Sequence, residues 1–576
     1  MGGQSNRRDF LKAVGTVGLA GVAGCAGDGD YSPPSTTGTP SGTSTTSAGT
    51  TTRKDAAPQI LSYEAAPQQY GTVLAVSMQG EDDTELEEAA ILYGDQQLQE
   101  TPDGKTVTLE GEFEPDSDLE SPDQVAYLLR DAAGNKTRKK AYPDQDAPEL
   151  ALKATATDNA GEIELMLEGK DNVGLQELAA ALNGETARQK DVSEAKKASI
   201  DTTVTGDEVA AIQPGKMNTV NGTIRDQYDN ATEKELEQYV RKYDVLEDTK
   251  LDIGVDYIPW IGSKFGDPLS HSEVKPAIGY YEDFANGSQN EVANRHIDQM
   301  QGHGITKLMF GFGENNKDYE RFRNFDRAGL SDEIEIELFY ALPQVFRRNR
   351  NLNQDITFMR KEILSKDNYS TINGRPVVNF WKPSALIYNK NLRNRVEDKY
   401  GGLIPLFEYV QTNIAPDGEK KAFMVGDANQ RGYWDGKSGF GAAEDFWSKW
   451  DGLTSFAGRP VPDEKKSHEE SLEFHRKDYK GIQKFADKHN QDFYPMVIPG
   501  FNDTHNEDWG QNRVIPRSIS FFYDLLTMAE KFADGRINIY SFNEWTEGTQ
   551  IESGKFKENS YGNSYLKTVK KFQRES

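Results

Sequence analysis

The sequence predicts a multidomain chain in which a C-terminal (β/α)8 (TIM) barrel follows two all-β immunoglobulin-like sandwich modules. Three observations carry this expectation. From about residue 248 onward, short apolar, β-branched runs alternate with helical stretches, the pattern of βα units on a parallel sheet. The preceding stretch, about 190 residues, has little helical period and holds short alternating runs separated by Asp, Gly, Asn and Pro turns at sandwich spacing. The first 57 residues show neither pattern.

Residues 1–25 read as an address rather than as fold. Arg7-Arg8-Asp9-Phe10-Leu11-Lys12 resembles a twin-arginine export motif, and Val22-Ala23-Gly24-Cys25 resembles a lipobox. The apolar run between them is shorter than the ~20 residues that span a bilayer. These motifs predict a lipoprotein anchored through Cys25 on the extracellular face of the cell membrane. One acyl chain anchors only marginally, so a diacyl form is expected. Cys25 is the only cysteine, which leaves no partner for an internal disulfide. Residues 26–57, rich in Ser, Thr, Gly and Pro, lack the apolar content to offset ordering entropy and read as a disordered tether.

The net charge of −27 argues against a nucleic-acid partner, whose phosphates would repel the chain. Together with twin-arginine export, such acidity suits a halophilic archaeon, where salt screens self-repulsion. Sequons at Asn135, Asn221, Asn230, Asn286, Asn368 and Asn502 are candidate glycosylation sites.

The sandwich modules are placed at 58–146 and 147–246. A weak internal repeat joins them: Val125–Asn135 and Gly222–Asn230 each run a strand into Arg-Asp and then an Asx/Gly turn. They hold no catalytic cluster, so they read as spacers, with polysaccharide binding as the sharper alternative.

In 248–576, candidate strands fall at 251–257, 305–312, 333–341, 375–381, 421–427, 452–457, 493–499 and 536–542. Helices are expected over Glu291–Gly302, Ile356–Leu364, Glu469–His489, Arg517–Phe532 and Tyr565–Phe572. Eight strands suit a closed barrel with long loops. The alternative, a doubly wound open sheet, would normally carry a Gly-rich phosphate turn after the first strand, where this chain has Tyr257-Ile258-Pro259-Trp260.

Barrel chemistry sits at the C-terminal ends of the strands. There the sequence places Tyr257, Trp260, Tyr280, Tyr281, Trp381, Asp503, Asn543 and Trp545 as candidate substrate-binding residues, since aromatic rings stack on sugar faces while carboxylates and amides take hydroxyls. Glu314 is either a further ligand or a loop charge. Glu544 and Glu547, after the last strand, are the candidate catalytic pair. In an extended strand they would lie roughly 10 Å apart on opposite faces. In a helical turn they would come within roughly 5–6 Å. Retaining glycosidases use separations of about 5–5.5 Å and inverting ones about 6.5–9.5 Å, so spacing leaves the stereochemistry open.

Asn543-Glu544-Trp545-Thr546-Glu547-Gly548-Thr549-Gln550-Ile551-Glu552 resembles the closing motif of glycoside hydrolase family 99, the endo-α-mannosidases, and of related polysaccharide-locus proteins. Lys275–Tyr281 with His296-Ile297-Asp298, Asn373–Val378, and Pro499–Thr504 with Arg517 and Tyr523 resemble other parts of that family. The resemblance covers most of 250–576 and none of the first 246 residues. It implies an endo-acting, retaining, metal-independent hydrolase working through a 1,2-anhydro sugar. Glu544 matches the base toward the 2-hydroxyl, and Glu547 matches the acid on the leaving oxygen. Trp545 is expected between them. The second strand, Met309–Asn315, departs from the family's tryptophans, and Phe501 stands where a tyrosine is expected, which puts mannose specificity in question.

No cofactor is expected, and the seven histidines show no metal-ligand spacing. His468 and His475 read as solvated on a charged helix. Two alternatives to a hydrolase of α-mannoside-type surface glycans stand: a non-catalytic surface glycan-binding protein, and a glycosyl-transferring protein of polysaccharide assembly.

Overall fold

The computed structural model describes residues 56–68, 73–113, 125–141, 147–226, 230–259, 274–287, 289–415, 421–428, 443–455, 464–504, 512–556 and 561–575. The export segment, Cys25, the tether, Trp260 and His271 lie outside these residues. Among the described residues no helix is long and apolar enough to cross a membrane.

The N-terminal region builds two antiparallel sandwiches with one topology. In the first, β1 (Gln59–Gln68), β2 (Val73–Glu81) and β5 (Thr106–Phe113) form one sheet in the order β1-β2-β5. The facing sheet runs β4 (Gln96–Glu100), β3 (Leu86–Tyr93), β6 (Val125–Asp131), β7 (Lys136–Ala141). Inward residues such as Val76, Met78, Ile91, Tyr127 and Leu129 alternate with polar ones and close the core.

In the second sandwich, β8 (Glu149–Ala156) pairs with the first half of β9 (Glu162–Leu182), which also pairs with the second half of β10 (Glu185–Thr205). The second half of β9 pairs with the first half of β10 and with β11 (Lys216–Asp226), which pairs with β12 (Ala231–Val240). Bulges between Asp191 and Lys197 mark where β10 passes between faces. The same three-plus-four arrangement therefore recurs with two strands fused into one long bent strand at each crossing.

The internal repeat has a structural counterpart. Buried Asp131 accepts Asn135 N and Nδ2, both at 2.8 Å. Buried Asp226 accepts Asn230 N at 2.9 Å and Nδ2 at 2.7 Å. Thr137 and Thr232 donate to the carbonyls of Pro58 and Pro148, tying each turn to the start of its own module.

In the C-terminal region, the strands Asp252–Tyr257, Lys307–Phe312, Glu335–Tyr340, Arg375–Phe380, Phe423–Asp427 and Gly452–Thr454 pair in sequence, all parallel. The seventh strand comes in two pieces, Asp492–Tyr494 and Met496–Val497, because Pro495 between them has no N–H to give the ladder. Its first piece pairs with the sixth strand and its second with Arg536–Ile539, the eighth, which pairs back to the first. The eight parallel strands thus close into a ring.

The ring's interior is polar at mid-height. Arg536 Nη1 meets Glu337 Oε1 at 2.6 Å, and Asn379 Nδ2 meets Glu337 Oε2 at 2.7 Å. Burial works against the charge of Glu337, yet Arg536 and Lys307 hold its carboxyl below the usual carboxylate range. Gly254 is required here, since a Cβ would lie 2.7 Å from the Arg536 guanidinium.

The second sandwich is joined to the barrel through α1 (Asn290–Gln301). Asp298 on that helix accepts Tyr239 Oη at 3.0 Å, Lys242 N at 2.8 Å and Tyr243 N at 3.2 Å. Arg241 Nη1 donates to Gln301 Oε1 and Arg295 Nε to Gly215 O, both at 2.8 Å. Tyr239 belongs to the barrel's hydrophobic core.

Candidate active site

The eighth strand ends at Ile539 and the chain turns back on itself. Gly548 N bonds Trp545 O at 3.3 Å, Thr549 N bonds Glu544 O at 3.2 Å, and Glu552 N bonds Phe542 O at 2.8 Å. Gly548 has φ +64°, a conformation that favours glycine. The turn puts Glu544 and Glu547 on one short loop, which removes the extended-strand option.

Both carboxylates are nearly buried, Glu544 at 8% and Glu547 at 4% exposure. Glu544 Oε1 accepts Thr546 N at 2.9 Å and also the Thr546 hydroxyl. Glu547 Oε2 accepts the Tyr540 hydroxyl at 2.7 Å. The two therefore sit in different polar surroundings, each with its own hydroxyl donor.

The turn is braced from outside. Arg517 donates to the carbonyl of Gly548 and, at 2.6 Å, to that of Gln550. Asn502 N donates to Glu547 O at 2.7 Å. Gly500, φ +154°, lets Arg517 approach: a Cβ there would stand 2.7–2.9 Å from Arg517 Cγ, Cα and N.

The other expected site residues divide sharply. Tyr280 is half exposed, with Lys275 Nζ 4.9 Å from its ring centre. Trp381 is partly buried at the end of the fourth strand, with Lys382 Nζ 4.5 Å from its ring. These two keep surface that a sugar can reach.

Five others are engaged within the protein, and for Tyr257, Asn543 and Asp503, which are fully buried, this corrects their assignment as sugar contacts. Tyr257 points outward from the ring into the helix layer, against Phe284, Phe325 and His296. Side chains alternate along a strand, so Gly254 faces the interior and Tyr257, an odd number of residues on, faces the helices. Tyr281 and Trp545 pack with Ile258 in a small apolar cluster. Asn543 spends its amide on the backbone of Ile258, accepting its N at 2.8 Å and donating to its O at 3.0 Å. Asp503 is fully buried against Arg513, Nε to Oδ2 2.7 Å.

Glu314 ends the second strand with Arg348 3.3 Å away; burial raises its pKa and Arg348 opposes that shift. His475 is also a correction. It is buried, Nδ1 bonding Ser471 O at 2.7 Å, and burial pushes its pKa down to about 4.

Tyr540, Thr546, Arg517, His296 and Glu552 had no site role in the sequence reading. All but Tyr540 lay in quoted motifs, but the contacts of Arg517, His296 and Glu552 cross the chain, His296 to Glu552 spanning 256 positions. Among the described residues no group of three or more His, Cys, Asp or Glu side chains is placed to hold a metal ion. A concavity of about 670 Å³ opens on the second sandwich between Lys170, Lys190, Lys197, Lys234, Glu149 and Glu168. It holds no aromatic ring and lies on the module rather than at the barrel's strand ends.

Residues 472–571 match the model for Glycosyl hydrolase family 99. The family 99 resemblance drawn from the closing motif therefore holds over the segment that contains it. A glycoprotein endo-alpha-1,2-mannosidase-like protein of Danio rerio is 40% identical over 75 residues, which are 13% of this chain and 17% of that protein. The glycoprotein endo-alpha-1,2-mannosidase of Rattus norvegicus is 39% identical over 72 residues, 12% of this chain and 16% of that one. The chain thus spans about one sixth of the length of the curated relatives it matches. The family 99 endo-alpha-mannosidase structure from Bacteroides thetaiotaomicron aligns with 56% of this chain and 97% of its own, at 19% identity and a TM-score of 0.39.

Proposed function

We propose that the chain is a surface-anchored, endo-acting, retaining glycoside hydrolase of α-mannoside-type or related glycans. Its (β/α)8 glycosidase barrel, 248–576, follows two immunoglobulin-like modules, 58–146 and 147–246, and a tether lipidated at Cys25. The observation that carries the reading is the family 99 turn itself: two nearly buried glutamates three residues apart, each with its own hydroxyl donor, beyond the last strand of a parallel ring. Glu544 takes the proton of the sugar 2-hydroxyl as that oxygen attacks the anomeric carbon. Glu547 protonates the departing oxygen, then deprotonates the water that opens the anhydro ring, while Glu544 returns its proton to the sugar 2-oxygen. Tyr280 and Trp381 are the remaining candidates for sugar contact.

The test is turnover of α-mannan and of host-surface glycans by the full chain, with products followed by NMR. Internal cleavage with retained configuration is expected, lost by at least a thousandfold in Glu547→Gln while binding persists. Full activity in that variant overturns the site assignment. Saturable binding without turnover by both proteins favours a glycan-binding protein instead.

A further inference from the structure

The clearest polar construction near the two glutamates is one the reaction does not use directly. Glu552 is completely buried, and its carboxylate accepts three side-chain hydrogen bonds. His296 Nε2 lies 3.1 Å from Oε1. Tyr281 Oη and the indole nitrogen of Trp545 lie 3.0 and 2.9 Å from Oε2. His296 Nδ1 meets the Tyr257 hydroxyl at 2.9 Å, and Asn543 Nδ2 reaches the Tyr281 oxygen at 3.3 Å.

One proton arrangement satisfies every donor. Tyr257 donates to His296 Nδ1, which leaves the N–H on Nε2 to donate to Glu552. Burial and the charge of Glu552 raise the pKa of both tyrosines, which therefore remain donors. Three side chains thus bond the carboxylate directly, and Tyr257 and Asn543 back two of them. A buried charge removed from water is tolerated only when its lone pairs are so filled.

We infer that Glu552 is a positioning residue for the reaction, acting through Trp545. Trp545 stands between Glu544 and Glu547 in the chain, and its backbone is already bonded at both ends of the turn. Glu552 fixes the remaining end, the indole, and closes the turn with its own backbone. The aim of both carboxylates is then set by a pin on the indole of Trp545. The buried aromatics Tyr257, Tyr281 and Trp545, expected as sugar platforms, gain a role as the pin's wall. The inference rests on the hydrolase reading above.

The test uses the full chain, uniformly labelled at tryptophan indole nitrogen, with the Trp545 resonance assigned by Trp545→Phe. In Glu552→Gln, kcat falls tenfold to a hundredfold, KM changes less than threefold, and the Trp545 indole resonance moves. Tyr281→Phe, which removes one hydrogen bond and no charge, lowers kcat about threefold with a smaller resonance shift. It decides the matter if Glu552→Gln does not fold. Unchanged kcat in whichever of these variants folds overturns the inference while the hydrolase reading stands. A wild type without turnover, or a fully active Glu547→Gln, overturns the hydrolase reading and this inference with it.

Discussion

At the scale of single residues, the barrel carries a pH liability the sequence conceals. His475 is buried and neutral, its pKa near 4 in the fold against about 6.5 in an unfolded chain. Between those values the unfolded chain binds a proton that the folded chain does not. Stability therefore falls as pH drops from 6.5 toward 4, by on the order of 3 kcal/mol for this one group. His303, likewise lowered to about 4 by burial, adds to the same slope. Urea unfolding at pH 7 and pH 4.5 checks this: the gap between wild type and His475→Gln should narrow as pH falls, and a constant gap rules it out. Helical period placed His475 on a charged stretch, but one buried turn of that 22-residue helix was invisible to composition. The turn that carries Glu544 and Glu547 was legible because its motif is contiguous. The burial of Tyr257, Tyr281 and Trp545 was not, because an aromatic at a strand end can face either the barrel mouth or the helix layer.

At the scale of elements, each of the eight strands lies within a few residues of the apolar run that announced it, since buried parallel strands declare themselves as β-branched runs. Two strands of 21 residues in the second module read instead as several short ones, because Asp, Asn and Gly at their bends look like turns. The brace on the closing turn belongs to this scale. Gly500→Ala places a methyl against Arg517 and should cost about 2 kcal/mol, with turnover falling at least tenfold as Arg517 releases Gly548 and Gln550. Gly535, also at positive φ but with open space around its Cβ position, is the control. Gly535→Ala should cost about 1 kcal/mol, the ordinary left-handed penalty, and leave turnover unchanged. Equal turnover in both variants would mean that Arg517 does not shape the turn.

At the scale of the whole molecule, the second sandwich is a part of the barrel's wall rather than a spacer. A fragment beginning at residue 248 would strip Asp298 of its bonds to Tyr239, Lys242 and Tyr243 and lay open the apolar surface that Tyr239 covers. Such a loss should cost about 3 kcal/mol or more, so 248–576 should melt well below 147–576 in calorimetry. Equal melting temperatures would show the joint to be incidental. The sequence could not reveal it, because the contacts link residues more than 50 positions apart across a boundary that composition alone had drawn. The repeated Asp–Asn–Thr clasp was half visible as a repeat. Its second use was hidden: Asn135 and Asn230 belong to sequons, yet their amides are committed to buried aspartates.

The joint at Asp298 also bears on the closing turn. α1 offers Asp298 to the sandwich and His296 to Glu552, two positions apart on the same helix. The connection is a weld, not a swivel. Tilting the module relative to the barrel would carry α1 with it and loosen the histidine from the pinned turn. Module and barrel are therefore coupled through one helix, and a disturbance at the joint reaches the closing turn.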